Sequence, residues 1–360
     1  MTSTQRPRRQ EQLPAEEEVV EVAPGVLRLQ LPISLPGLGH VNTYAICDDR
    51  GVAVVDPGLP GPSSWKALTA RLAAAGIGMR RIHTVLVTHS HPDHYGGAKR
   101  LARESGAELV AHTAFRRWAS TPCTCDDPSH EHVDADGPAN AGGDVPARPG
   151  PPWAGPTPWG GDRHRPPLRR RIGYRLLGTR FAPPEPSRRV RHGEVLDLGG
   201  REWVAHHTPG HTLDHLCLHD PATGVLLSGD HVLPTITPHI SGVGAGPDPL
   251  EGFFRSLDDI AAVGPVTTVL PAHGQPFDDL AGRAGEIREH HEARLAELIA
   301  ASHDLGWATV GELSQRLFKE RSWGPMAESE TFAHLEHLRL AGRAEVRRDD
   351  DALRYDLSAG

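Results

Sequence analysis

Cysteine is scarce in this chain, with four residues in 360. A disulfide-stapled scaffold needs a far higher density, so that class is excluded. Cys47 and Cys217 sit in apolar strand-like runs and read as small buried hydrophobes. Long apolar runs are missing too. None approaches the ~20 residues that cross a bilayer, so no membrane partner is expected. Met1 to Glu18 is polar, with Arg-Pro-Arg-Arg followed by glutamates, and reads as a disordered tail. It lacks the apolar core of a secretory leader, and the expectation is a reduced, cytoplasmic protein.

An excess of positive charge is also absent: 38 Lys+Arg stand against 46 Asp+Glu, a net charge of −8. A general binder of nucleic acid or anionic membrane is more often basic. Hydrophobic residues make up only 38%, while Gly (39) and Pro (33) are abundant. That composition suggests an ordinary core diluted by loops. Histidine is what the chain has in quantity, 23 residues. Imidazole is the commonest protein metal ligand, so the question becomes where these residues cluster.

A chain of this length is expected to be one large domain with a small appendage. Short strands flank Pro24-Gly25, and Val41–Ile46 and Val52–Asp56 bracket a second turn. Trp65–Ala75 has apolar spacing of three and four and predicts a helix closed by Gly76. Ile82–Thr88 is a β-branched run, the mark of a buried strand. Gly97–Ser105 predicts a helix and Glu108–Ala111 a strand. Hairpins followed by strand–helix alternation point to an α/β sandwich. From about 120 to 190 the pattern dissolves into Pro, Gly, Asp and Arg, the sign of a lid or an insertion. Strands resume around 194–198, 203–207, 216–218 and 225–228. Leu257–Ala262 predicts a helix, and Val266–Leu270 a strand. The large domain is placed at 19–285. Residues 286–360 form a separate unit of three amphipathic helices (286–301, 309–318, 328–340) and a hairpin, which is a winged-helix pattern.

Four segments place His or Asp where a strand stops: Thr88-His89-Ser90-His91-Pro92-Asp93-His94-Tyr95-Gly96-Gly97, Pro209-Gly210-His211-Thr212, Ser228-Gly229-Asp230-His231, and Pro271-Ala272-His273-Gly274. A strand running into a tight turn holds its last side chains rigidly at the sheet edge, where a metal site needs them. Alternation points His89 and His91 the same way, while Asp93 and His94 open the following helix from the other side. One stretch can thus serve two metals. Imidazole and carboxylate without thiolate suit Zn²⁺, and the same set accepts Fe or Mn. His83, His112 and His219 read as surface or satisfied core residues.

The His-x-His-x-Asp-His run resembles the signature of the metallo-β-lactamase fold superfamily, over about Val19–Pro276 apart from the insertion. The resemblance implies an αβ/βα sandwich. It places His89, His91 and His211 on a first metal and Asp93, His94 and His273 on a second, with Asp230 bridging. Asp56 in Val55-Asp56-Pro57-Gly58 matches a strand-end Asp that orients the ligand loop from behind. The implied chemistry is hydrolysis by a hydroxide shared between two zinc ions, with Asp93 orienting the nucleophile or taking its proton. His231 is the one residue considered as a proton donor to the leaving group, and a structural role suits it better.

A second cluster, Cys123-Thr124-Cys125 with His130-Glu131-His132, offers four zinc ligands, but residues two apart strain a common tetrahedron. An accessory metal and a polar loop with two thiols both stay open there.

The order of the last domain is similar to a subgroup of the β-lactamase-like protein 2 type, which includes a hydrolase acting on single-stranded RNA. Charge speaks against nucleic acid here, since residues 286–360 hold 10 Lys+Arg and 15 Asp+Glu. The third helix offers Glu330, His334, Glu336, His337 and Arg339. The domain is expected to pack over the site's mouth or to form a homodimer contact. The basic stretch Arg163–Arg180 reads as a solvated loop or a clamp for an anionic substrate. The leading expectation is a small-molecule acyl substrate: an ester, thioester or lactone. A metal-dependent ribonuclease or phosphodiesterase, a mononuclear iron persulfide dioxygenase and a winged-helix binding module are the alternatives. β-Lactamase activity is not expected in the absence of an export signal.

Overall fold

β-Branched and aliphatic runs that alternate in their burial build two facing sheets. A computed structural model describes residues 9–115, 157–160 and 182–357. The first sheet holds seven strands in sequence order: β1 (Val19–Ala23), β2 (Val26–Leu35), β3 (Leu38–Cys47), β4 (Val52–Val55), β5 (Ile82–Leu86), β6 (Glu108–His112) and β7 (Arg188–Val190). Its first four strands pair antiparallel and its last four parallel. The second sheet runs β12-β11-β10-β9-β8, with β8 at Val195–Leu198, β9 at Arg201–His207, β10 at Leu216–Asp220, β11 at Val225–Gly229 and β12 at Thr268–Pro271.

Alternation decides which layer each residue joins. On β4, Ala53 and Val55 face the second sheet, where Trp203, Leu218 and Leu227 meet them. Val52 and Val54 face the other way, toward helix α1 (Pro62–Ala74) and the Leu101 face of α3 (Ala98–Ser105). Trp203, fully buried between the sheets, donates its indole N–H to the Leu198 carbonyl at 3.0 Å. The outer face of the second sheet is covered by α4 (Pro249–Ala261) and α5 (Leu280–Leu305) through Phe253, Leu257, Ile287 and Leu298. The result is the αβ/βα sandwich expected from the sequence.

Beyond α5 come β13 (Ala308–Thr309), α6 (Val310–Leu317), α7 (Pro325–Leu340), β14 (Glu345–Asp349) and β15 (Ala352–Asp356), the strands forming a small sheet in the order β13-β15-β14. Thr309 and Glu312 close a capping box at the start of α6. Among the described residues, no helix is long and apolar enough to cross a membrane.

Three larger segments differ from the sequence reading. Residues 9–18 are not a loose tail. Gln10–Gln12 form a 3₁₀ turn, and the fully buried Glu11 carboxylate accepts from the Thr235 and Ile236 amides at 2.8 and 3.0 Å. A carboxylate whose donors lie 224 positions away has no local signal. The division at 285/286 falls inside one continuous helix, α5, which begins at the Asp279 cap. Gly282 and Gly285 dilute its apolar pattern there. The stretch 120–190 contains β7 and a buried Trp159, whose ring lies tilted at 5.1 Å from Phe332 and whose indole N–H donates to Glu328. Cys123, Cys125, His130, His132 and Arg163–Arg180 lie outside the described residues.

Candidate metal centre

The ligand loop follows directly from β5. Residues 87–91 leave the sheet, Pro92 starts the one-turn helix α2 (Pro92–Tyr95), and Gly96-Gly97 lead into α3. Those glycines are required by proximity: a Cβ on Gly97 would lie 2.2 Å from the Pro57 carbonyl oxygen, and one on Gly96 would lie 2.1 Å from Pro60. The ligand loop is thereby pressed against the turn that carries Asp56.

Two groups of ligand atoms converge. The ε-nitrogens of His89 and His211 each lie 3.0 Å from His91 Nδ1. Asp230 Oδ2 stands 3.8 Å from His89 Nε2 and 3.5 Å from His211 Nε2. In the second group, Asp93 Oδ2 is 3.8 Å from His94 Nε2 and 3.6 Å from His273 Nε2. Asp230 also reaches this group, at 3.5 Å from His94 Nε2 through Oδ2 and 3.3 Å from His273 Nε2 through Oδ1. Ligands at the usual zinc distances around a tetrahedron stand about 3.3 Å from one another. The observed spacings bracket that value. His94 Nε2, His273 Nε2 and Asp230 Oδ1 are buried without a hydrogen-bond partner. Buried polar atoms are ordinarily paired, so three orphans aimed at one space fit a pair of cations. All seven side chains expected from the sequence meet here, grouped as His89–His91–His211–Asp230 and Asp93–His94–His273.

Groups behind the ligands fix which ring nitrogen faces the centre. His211 Nδ1 donates to the His239 carbonyl at 2.7 Å and His273 Nδ1 to the His40 carbonyl at 2.6 Å. His94 Nδ1 donates to Asp56 Oδ2 at 2.8 Å. Asp56, at a left-handed φ of 52°, also accepts from the Thr88 amide at 2.8 Å and the Thr88 hydroxyl at 2.7 Å. The Thr88 oxygen in turn lies 3.1 Å from His89 Nδ1. Asp56 therefore sits behind His94 directly and behind His89 through Thr88. Ser90, between two ligands, donates to the buried Asp214 at 2.9 Å and ties the first ligand loop to the one bearing His211.

The electrostatics divide along the same line. Burial, reinforced by neighbouring imidazoles, pushes His89 and His91 well below the usual range and keeps them neutral, the form that binds a metal. Burial opposes charge on His94 and His273 as well, but Asp230 raises both. Against its own burial, Asp230 is held well below the usual carboxylate range by His273 and His94.

His231 is not among the grouped ligand atoms. It is fully buried 5.0 Å from Phe253, and burial lowers it to about 3. His83 bonds Thr84, His112 stacks on His207 at 3.9 Å and His219 is buried, so all three remain outside the centre. Sequence reasoning missed His40, His215 and His239. His215 Nε2 accepts from the Asp230 amide at 3.0 Å and sets that ligand's backbone. Its spacing of four from His211 was the only trace it left.

The metallo-beta-lactamase superfamily profile matches residues 36–273, a span that contains all seven ligands. The chain belongs to the metallo-beta-lactamase superfamily. Its fold is similar to that of a metallo-beta-lactamase family protein from Thermus thermophilus, with a TM-score of 0.70 and 29% identity over 94% of this chain and 100% of that one. A beta-lactamase domain protein from Burkholderia ambifaria gives a TM-score of 0.71 at 26% identity, covering 96% of each chain. Acyl-coenzyme A thioesterase MBLAC2 of Gallus gallus is 41% identical over 76 residues, which cover 21% of this chain and 26% of that protein. Of the curated relatives it matches first, the chain covers only 25% to 39% of the length. This member of the superfamily keeps a full set of His/Asp residues able to hold metal.

Proposed function

We propose that the chain is a binuclear, zinc-dependent hydrolase acting on a small ester, thioester or lactone, with acyl-thioesters as the first class to test. The observation that carries this reading is the placement of Asp230 between two ligand groups, one oxygen 3.3 Å from His273 and the other 3.5 Å from His211. Two cations held by these residues would supply water ionised near neutral pH and an electrophile for the carbonyl oxygen. The side chains do the rest. Five neutral or hydrogen-bonded imidazoles fix the geometry, and Asp230 keeps the two halves at a set separation. Asp93, 4% exposed, orients the attacking water and takes its proton. The likeness to a thioesterase over 76 residues supports the acyl class.

We read the closing helices and small sheet as winged-helix-like, and their side chains argue for packing over nucleic-acid recognition. His337 is held by Asp248 at 3.0 Å, Glu336 by the Tyr355 hydroxyl at 2.6 Å and by Arg339, and His334 is fully buried. Residues occupied internally are not available to base edges.

The test is metal content per chain together with turnover on acyl-coenzyme A thioesters, lactones, phosphodiesters and single-stranded RNA. Two equivalents of zinc are expected, with acyl hydrolysis abolished by Asp93→Ala. Cleavage of RNA without acyl turnover, or a single iron with oxygen uptake, would overturn the proposal.

A further inference from the structure

Helix α7 belongs to the C-terminal region, yet its side chains reach the loop that supports a metal ligand. His211 is positioned by the carbonyl of His239. The His239 ring is itself gripped: its Nδ1 donates to Glu330 Oε2 at 3.0 Å. Three positions further on, the same loop is clamped again, with the Gly242 amide 3.1 Å from both the carbonyl and the hydroxyl of Ser329. Gly242 allows this approach, because a Cβ there would sit 2.6 Å from the Phe332 ring and 2.7 Å from the Ser329 carbonyl. Glu330 is only 12% exposed, and its other oxygen lies 3.7 Å from Arg294 on α5. His334 Nδ1 donates to the Glu330 carbonyl at 2.7 Å, and its Nε2 faces His291 Nδ1 at 3.1 Å. Glu330 is thus braced from two helices.

We infer that Glu330 is a positioning residue for the first metal group, acting through His239 to hold His211, and that the C-terminal region is part of the scaffold of the metal centre. Hydrogen-bonded groups behind a ligand typically change metal affinity 10–100-fold when removed. Among the described residues, no comparable contact joins α7 to His94 or His273: His94 is held by Asp56 and His273 by His40. The inference therefore predicts an asymmetric loss. One of the two metals weakens and the other does not.

This inference rests on the two-metal reading, and the experiment separates the two. Metal-free full-length protein is titrated with Co²⁺ and Zn²⁺ against a chromophoric chelator, with the Co²⁺ visible spectrum as a second readout. Wild type binding fewer than two ions would defeat the two-metal reading itself. With two ions bound by wild type, Glu330→Ala is expected to weaken one site 10–100-fold and to alter one component of the Co²⁺ spectrum. His239→Ala keeps the carbonyl but cuts its link to α7, leaves Glu330 with Arg294, and should reproduce the loss even if Glu330→Ala folds poorly. Glu330→Gln retains an acceptor for His239 and should stay within a few-fold of wild type. Tyr355→Phe loosens the C-terminal packing at Glu336 without touching this path and should bind both ions normally. Native affinity in both alanine variants, equal weakening of both sites, or the same loss in Tyr355→Phe would overturn the inference.

Discussion

Replacing Asp56 by Asn tests the most specific consequence of the geometry, because it changes one atom and should change the tautomer of a metal ligand. Asp56 Oδ1 accepts from the Thr88 amide at 2.8 Å, which forces the Asn oxygen to that side. The Asn nitrogen must then face the Thr88 hydroxyl and His94 Nδ1, where Asp56 Oδ2 now accepts at 2.7 and 2.8 Å. An NH₂ group cannot accept from His94 Nδ1–H. In the neutral imidazole the proton then has to sit on Nε2, the nitrogen that faces Asp93, Asp230 and the space proposed for the second ion. Binding a cation then requires breaking the new hydrogen bond or displacing the ring. A hydrogen bond to a charged group has a net worth of about 1.5–3 kcal/mol. At about 1.4 kcal/mol per tenfold, the second site should weaken about 10–100-fold. Asn tolerates the left-handed φ of 52° at this position, so the backbone is kept. The assay is stepwise zinc competition against a chelator, paired with thermal unfolding of the metal-free proteins. Native affinity for the second ion, with coincident unfolding curves, would refute the tautomer argument.

Other consequences are simpler to check. Asp230→Ala removes the carboxylate that lies near His211 in one group and His94 and His273 in the other, so zinc bound per chain should fall from two to at most one by elemental analysis. Trp203→Ala opens a cavity between the sheets and should cost about 3–5 kcal/mol in a urea titration. Burial opposes it, but the hydrogen bond and charge of His239 hold Glu330 at about 2, against the usual 4.5. A carboxylate depressed in the folded state adds stability that is complete above about pH 4.5 and disappears as pH falls toward 2. In chelator-treated protein any stability gap between wild type and Glu330→Gln should therefore be present above about pH 4.5 and should close through that acid window. A gap independent of pH from 2 to 7 would show that the ion pair is not what stabilises this contact.

Much of the centre was legible in the residues because its ligands are local: His89, His91, Asp93 and His94 share one loop. His211, Asp230 and His273 each stand where an apolar run breaks. Strand ends can be read from pattern because alternation and turn chemistry are short-range. The sandwich followed from the same periodicity. Helix starts were less legible. α4 begins at Pro249, eight positions before the Leu257 expected, although its start is marked locally by Asp248, whose side chain accepts from the Glu251 amide, and by Pro249 in the first turn.

The amino-acid order by itself marked the strand-end positions that present His and Asp and the acidic balance of the closing region, and the family resemblance turned those positions into a ligand set. Only the tertiary structure decided what stands behind those ligands. Glu11 against Thr235, His40 against His273, and Glu330 against His239 are pairings across 224, 233 and 91 positions. Such contacts leave no periodic trace, because a hydrogen bond depends on where two segments meet in space and not on the residues that flank either one. A buried carboxylate and a solvated one look the same in composition, and so Glu11 and Glu330 came to light only in the folded chain.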